Sequence, residues 1–327
     1  MSDGLVALSK FQAGLETVRG TGVAATRIQP ADSGFMNPIQ NRNQVHEQRN
    51  TFVDVFRSFP VKQMVELRGM TVSPTYEDLP WFLQSMVKGG VTGVLSAVTA
   101  YTYTFSPTPG TDDLKTVTWE VGNDTQAWQC PFGVGERLDL QFTAGAAAKQ
   151  TMDYLAQRPV KQVFTAALSD RVTEDINGAQ MKAYIDSTTI GTTAVTNVLS
   201  AHFVLQNNWT QLWALDGNLY PRNAYRKVRS ATLELTIQMT NVTEYDAYIT
   251  TPVERKIRLQ VQGTAIPGST GPVLKQMTID FYTYWDVSPL SDQNGIYVLK
   301  LTGTSTYDPT ATNDFSIAVI NALPTLP

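Results

Sequence analysis

The sequence predicts an all-β fold with a few short helices, and three observations predict it. Apolar residues recur at every second position in segment after segment. Charged residues fill only 17% of the 327 positions, against roughly a quarter in typical soluble proteins, and Thr takes much of their place. Helical spacing is confined to short stretches. With 42% hydrophobic residues the chain has ample material for a core, so disorder is not its main state.

The alternation can be followed along the chain. Tyr101, Tyr103 and Phe105 face away from Thr102 and Thr104, and Val117, Trp119 and Val121 face away from Thr116, Thr118 and Glu120. Leu138, Leu140 and Phe142 alternate with Arg137, Asp139 and Gln141, and Leu233, Leu235 and Ile237 alternate with Thr232, Glu234, Thr236 and Gln238. Ile257, Leu259 and Val261, then Met277, Ile279 and Phe281, repeat the pattern. One apolar and one polar face is the signature of antiparallel sheets covered on a single side.

Three stretches carry helical spacing. Thr75 to Lys88 places Leu79, Phe82, Leu83, Met86 and Val87 on one face and stops at Gly89-Gly90, with Pro80 setting the start near Leu79. Asn241 to Ile249 is a shorter candidate, with Asn241 as cap and Glu244 three residues on. Ala146 to Gln157, closed by Pro159, is the third. Two long segments follow neither period: Gln29 to Pro60, polar until Phe52, Val53, Val55 and Phe56, and Thr188 to Tyr220, rich in Thr and Asn. Segments of that length are either surface loops or functional arms.

The two halves resemble each other. Val65-Glu66-Leu67 precedes Asp78 as Leu233-Glu234-Leu235 precedes Asp246, an offset of 168. Later, Leu114-Lys115 before Val117 to Val121 matches Leu274-Lys275 before Met277 to Phe281, an offset of 160. A strand, helix and strand order therefore occurs twice, which predicts an internal duplication split at about residue 170.

Little in the chain points to catalysis. The single cysteine, Cys130, lies in an apolar run and suits an inert buried thiol, and one cysteine cannot form an intrachain disulfide. His46 and His202 are too few for a multi-histidine metal site, and His46-Glu47-Gln48-Arg49 lacks the second imidazole of a zinc helix. His202 reads as a core or interface histidine. The acidic pairs Asp112-Asp113, Glu174-Asp175 and Glu77-Asp78 become an acid and base only if the fold brings carboxylates together. No enzyme activity and no cofactor is expected. Met1 to Lys10 lacks a long apolar stretch, so no cleaved signal is expected, and no apolar run is long enough to span a membrane. A net charge of −4 argues against a protein that grips phosphates.

The opening residues carry a resemblance. Gly14-Leu15-Glu16-Thr17-Val18-Arg19-Gly20-Thr21, followed by Ala24-Ala25, resembles the start of the major tail tube proteins of long-tailed bacteriophages. The next landmarks come in that family's order: an extended polar stretch, a strand ending Leu67-Arg68-Gly69, the helix from Pro80 to Gly89, an aromatic strand, a Thr-x-Glu strand (Thr118 to Glu120) and a Gly-led strand from Gly135. The resemblance covers residues 8 to 145, and the remainder through the repeat. Arg19 departs from it, since an aromatic commonly precedes that glycine.

The resemblance implies two tandem tail-tube-type β-sandwich or barrel domains, residues 1–170 and 171–327, each with one long segment (about 29–60 and about 188–220). It implies a virion structural protein made in the host bacterial cytoplasm, whose copies join sheets into a ring and whose rings stack into a hollow tube that passes DNA without holding it. A trimeric ring with pseudo-sixfold symmetry follows if the halves are duplicates, and a hexamer is the alternative. Further implied partners are a tape measure protein, a tail terminator and a distal tail protein. Candidate lumen positions are Thr118, Glu120, Thr278, Asp280, Thr232 and Glu234, with an outer solvated face as the competing reading. Candidate inter-ring arm positions are Asn37, Gln40, Asn41, Arg42, Arg49, Phe52 and Phe56. The competing classes are another virion ring component (terminator, baseplate or decoration protein) and a carbohydrate-binding module built on Trp209, Trp213 and Trp285.

Overall fold

The structure is a computed structural model that describes residues 8–123, 125–268, 273–287, 289–293 and 295–326. Residues 1–7, most of the segment read for a leader, lie outside the described residues, as does part of the turn after Gly268. In chain order the elements are β1 (Lys10–Leu15), β2 (Arg27–Ile28), β3 (Ser33–Val45), β4 (Arg57–Val72), α1 (Leu79–Met86), β5 (Val94–Ala97), β6 (Ala100–Phe105), β7 (Val117–Gly122), β8 (Ala127–Thr143), β9 (Lys149–Ala156) and β10 (Val160–Gln162). They continue as β11 (Lys182–Asp186), β12 (Ala194–Val195), β13 (Val198–Gln206), β14 (Trp209–Leu212), β15 (Asn223–Arg226), β16 (Ser230–Gln238), α2 (Thr243–Ile249), β17 (Arg255–Ala265), β18 (Leu274–Val287), β19 (Leu290–Gln293), β20 (Ile296–Ser305) and β21 (Phe315–Asn321). The chain is predominantly β, as its alternation predicts.

Among the described residues, eight strands form one antiparallel sheet in the order β3-β4-β9-β8-β13-β16-β20-β19. This long sheet passes from the first half of the chain to the second at β8 and β13, where Leu140 lies opposite Phe203. Among the described residues, two side sheets and the separate two-stranded β14–β15 hairpin complete the structure. The first runs β2-β1-β7-β8-β10. The second runs β12-β11-β17-β18-β21-β6-β5, so a hairpin from the first half extends the second half's sheet.

β8 and β18 each serve two sheets. The start of β8 pairs with β7 and β10, and its remainder pairs with β9 and β13. The change of partner comes after Phe132, at a φ of 59°, and Gly133, where a Cβ would come within 2.6 Å of the Val117 carbonyl oxygen. β18 likewise pairs with β21 up to Phe281 and with β17 up to Thr283, and with β20 from Thr283 onward.

The apolar faces meet in a shared core. On β16, Leu233 and Leu235 are fully buried while Thr232 and Glu234 keep partial exposure. In the second half, Phe203 of the long sheet meets Phe281 and Phe315 of the side sheet at ring separations of 6.1 and 5.4 Å. In the first half, Trp119 of β7 touches Tyr154 of β9 at 5.0 Å and Trp81 of α1 at 6.4 Å. α1 is buried along its whole length, which its sequence Leu-Pro-Trp-Phe-Leu-Gln-Ser-Met suits, because a helix apolar almost all round belongs inside.

Four sequence expectations are corrected. Ala146 to Gln157 is not a helix: residues 149–156 form β9, with Gln150, Met152, Tyr154 and Ala156 buried at every second position. Partners on both sides, β4 and β8, outweigh local helical preference there. Gln29 to Pro60 is not a loop but most of the β3–β4 hairpin, whose outer part has no covered face and so shows no buried period. Thr188 to Tyr220 holds β12, β13 and β14. At α2, the Asn241 side chain accepts from the Thr243 N–H at 3.1 Å, but Glu244 turns to Arg255 and Trp285, so no capping box forms.

Candidate assembly surface

The long sheet has one covered face and one open face. Across the open face, strand register sets Gln141, His202, Glu234 and Thr302 in one row and Asp139, Val204, Thr232 and Thr304 in the next. Three of the basic residues on it are held by carboxylates. Lys300 Nζ is 2.9 Å from Glu234, Arg137 is 2.9 Å from Asp139, and Arg68 binds both oxygens of Glu66 at 2.6 and 2.9 Å. Such pairs add little stability singly, and Lys149, opposite Gln141 on the same face, is exposed and stands outside them. His202 is half-buried on this face rather than in the core, with Nε2 2.6 Å from Asp139. Burial pushes the Asp139 carboxyl up, and the His202 hydrogen bond with the nearby His202 and Arg137 charges outweighs it, leaving the group below its ordinary range.

Both edges of the long sheet lack a partner among the described residues. One is the outer side of β3. The other is a composite edge, the end of β18 followed by β19, which pairs with β20 on its inner side only. Exposed apolar side chains crowd the second edge, including Tyr284, Leu290, Ile296 and Tyr297, and Phe59 and Val61 are exposed on β4 next to the first. Open apolar edges invite pairing with another chain.

Two hairpins project from the same end of the long sheet. Beyond Val65, the last β4 residue opposite β9, residues 57–64 pair only with β3 and make a two-stranded ribbon. The β14–β15 hairpin follows β13 at that same end, and the two touch where the Gln63 N–H donates to the Leu219 carbonyl at 2.7 Å and Lys62 sits 4.5 Å over the Trp213 ring.

The expected arm residues all fall on the β3–β4 hairpin. Asn37, Gln40 and Asn41 lie on β3 opposite Glu66, Gln63 and Lys62, and Arg42 binds Ser58 and Gln40. Arg49 stacks 4.9 Å over Phe56 and pairs with Glu47, while Phe52 at the tip is fully exposed.

The expected lumen residues are scattered over three sheets. Thr232 and Glu234 lie on the open face. Thr278 and Asp280 lie on β18 in a side sheet, where Thr278 is buried and Asp280 binds Arg258 at 2.7 and 2.8 Å. Thr118 and Glu120 do not face solvent at all. Glu120 accepts from the Thr165 N–H and hydroxyl at 2.8 and 2.7 Å, and Thr118 donates to Glu16 at 2.8 Å. The polar side of β7 is buried because residues 16–30 and the segment around Thr165 fold over it, a cover that alternation cannot reveal.

The resemblance motif itself is a structural knot. The buried Glu16 carboxylate accepts from the Gly20 and Phe132 N–H groups, both at 2.7 Å, and from the Thr116 and Thr118 hydroxyls at 2.5 and 2.8 Å. Gly20 has a φ of 79°, and a Cβ on Gly14 would come within 2.5 Å of the Ala24 carbonyl oxygen. Asp112 pairs with Arg19 at 2.9 Å within the first half, whereas Glu77-Asp78 and Glu174 are spent on the junction between the halves. Glu77 and Glu174 flank Lys275 at 2.6 and 3.1 Å, and Asp78 binds the buried Arg27 at 2.9 Å together with Arg171. Trp209 and Trp285 are buried, so they form no open platform. Burial pushes the Cys130 thiol up to about 12. No protein-family model matches the chain, and no curated protein matches its sequence.

Proposed function

We propose that this chain is a virion structural subunit that closes into rings and stacks into the hollow tail tube of a long-tailed bacteriophage. The observation that carries the reading is the relation between the two free edges and the one joint already made inside the chain. By position in the sheets, β1, β3, β4, α1, β7, β8, β9 and β10 correspond to β11, β13, β16, α2, β17, β18 with β19, β20 and β21. The 168-residue offset at β4 and β16 agrees with this. Beyond the helices the correspondence pairs β7 with β17 rather than with β18, so the 160-residue offset is replaced.

Under that correspondence the free edge of β18 and β19 is the counterpart of the β8 edge that β13 occupies. The free edge of β3 is likewise the counterpart of the β13 edge that β8 occupies. β3 of a second copy therefore fits beside β19 as β13 fits beside β8. An even number of alternating strands keeps such a joint antiparallel, and repetition around an axis closes a heterologous ring. Two tube-type sandwich domains per chain make that ring a trimer with pseudo-sixfold symmetry, and a hexamer is the alternative.

The open face, with Thr232 and Glu234, then lines the bore. Lys300, Arg137 and Arg68 on it are paired with carboxylates, which weakens their hold on phosphates and suits passage of DNA without retention. Within a tail, the subunit sits in the virion and meets a tape measure protein, a tail terminator and a distal tail protein. Electron microscopy of the concentrated protein, with averaging of end-on views, tests the reading. Hollow stacked rings with three-fold averages support it, six chains per ring overturn the trimer, and rings that never stack move the chain to another virion ring component.

A further inference from the structure

A pocket of about 560 Å³ opens where three connections of the chain meet. Residues 108–112, between β6 and β7, form one wall, and residues 226–229, between β15 and β16, form the second. Ser305 at the end of β20, Tyr307 after it and Asp314 before β21 form the third. The chain has a net charge of −4, yet Arg226, Lys227 and Arg229 all line this one opening. Net charge averages over the whole surface and does not show such a local concentration.

The backbone that carries these cations is held on both sides. β15 ends at Arg226, opposite Trp209. Asn208, at a φ of 51°, accepts from the Lys227 N–H at 3.1 Å, and its side-chain amide donates to the Val228 carbonyl at 2.8 Å. Arg226 Nη2 donates to the Thr111 carbonyl at 3.1 Å, which ties the second wall to the first. Donors fixed in advance lose little freedom when a ligand arrives.

The nearby carboxylates are already engaged. Asp112 pairs with Arg19 at 2.9 Å, and Asp314 takes Arg229 at 2.6 Å and the Ser305 hydroxyl at 3.1 Å. Asp113, behind the first wall, accepts from the Thr108 hydroxyl at 3.0 Å. Arg226 and Lys227 form no ion pair among the described residues. The Arg226 Nη1 is buried without a hydrogen-bond partner, and Lys227 beside it is exposed. Burial lowers the Arg226 guanidinium below its ordinary value, Asp112 and Asp113 oppose that shift, and Arg229 and Arg19 add to it. A cation partly out of water and short of counter-charge gains from an anion, and guanidinium donors suit oxyanions. The Thr111 and Tyr307 hydroxyls on the other walls offer neutral donors in further directions, which fits a tetrahedral group better than a planar carboxylate. We infer that this pocket binds a phosphate group on Arg226 and Lys227. The site lies within one chain and stands apart from the ring-and-tube reading.

Titration calorimetry of the full chain with inorganic phosphate, at ionic strength held constant with sodium chloride, tests the inference. One saturable site per chain is expected. Lys227→Glu changes an exposed side chain, so its circular dichroism is expected to match the parent's while phosphate binding weakens about tenfold or more. Arg226→Gln is expected to weaken binding likewise, and Lys227→Arg to keep it. A parallel titration with a nucleoside monophosphate separates the two sources of the group: tighter binding than inorganic phosphate assigns the pocket to a phosphate carried on a larger molecule, and weaker binding assigns it to the free ion. No saturable binding above the chloride background overturns the inference. So does a folded Lys227→Glu chain that binds phosphate as tightly as the parent.

Discussion

Glu16 and Thr118 lie 2.8 Å apart in the interior, the Thr118 hydroxyl donating to a carboxylate that forms no ion pair among the described residues. Two backbone N–H groups and two threonine hydroxyls do the work a salt bridge would do elsewhere, and they tie the segment after β1 to β7 and β8. Glu16→Ala strands four buried donors, each costing about 1–3 kcal/mol when unmade. The expected loss is about 3 kcal/mol or more in urea unfolding, and a loss under 1 kcal/mol would contradict the role assigned to this carboxylate.

Glu120 and Glu234 separate burial from assembly. Glu120→Lys buries a cation among donors already committed to a carboxylate and is expected to cost several kcal/mol and impair folding. Glu234→Lys sits on the open face and is expected to change stability by no more than about 0.5 kcal/mol. In assembled tails it should slow DNA ejection, because a lysine without its partner adds a phosphate contact to the bore. Ejection at the parent's rate would argue against this face as the lining.

The joint between copies has a defined register if it copies the one inside the chain. Within the chain Leu205 lies opposite Leu138, which itself pairs with Met152. The counterparts of Leu205 and Leu138 are Gln40 on β3 and Leu290 on β19. Cysteines at Gln40 and Leu290 should therefore form a disulfide between neighbouring subunits in rings. Efficient bonding at Gln40 with Ile296, rather than Leu290, would refute the copied register.

Asp139 gives a pH dependence with a defined sign. Its folded carboxyl lies below the ordinary range, so its ionised form contributes stability above that range, and the contribution is lost as pH falls through the lowered value. Asp139→Asn is expected to be less stable than the parent at pH 7 by on the order of 1 kcal/mol. The gap should close below about pH 4, where the unfolded carboxyl also takes up its proton. Thermal unfolding at a series of pH values measures it.

Cys130 should be silent in the folded protein. Burial pushes its thiol up to about 12, so almost none is thiolate at pH 8. A thiol reagent is expected to label it only in denaturant, and rapid labelling of the native chain would show that the first half opens locally.

Much of the fold is legible in the residues because it depends on local patterning. Leu233-x-Leu235-x-Ile237 and Val117-x-Trp119-x-Val121 become strands with those residues buried, and Pro80 opens α1 where expected. Residues 149–156 misled because their partners, β4 and β8, lie far away in sequence and the buried set Gln150, Met152, Tyr154 and Ala156 begins with a polar residue. The β3–β4 hairpin hid for the opposite reason, since its outer pairs have nothing covering them and leave no apolar period.

The sequence by itself determined that the chain is β-rich, that a helix opening near Leu79 follows the strand through Leu67, and that its cysteine lies in an apolar run. These follow from side-chain period, backbone preference and local polarity. Only the tertiary structure decided which polar faces stay open. Thr118 and Glu120 alternate as Thr232 and Glu234 do, yet the first pair is buried and the second is not. The difference lies in what crosses over each strand: Glu16 and Thr165 come from remote parts of the chain to cover β7, and no described segment hydrogen-bonds across Thr232. Alternation records two unlike faces, whereas solvent access depends on chain crossings distant in sequence.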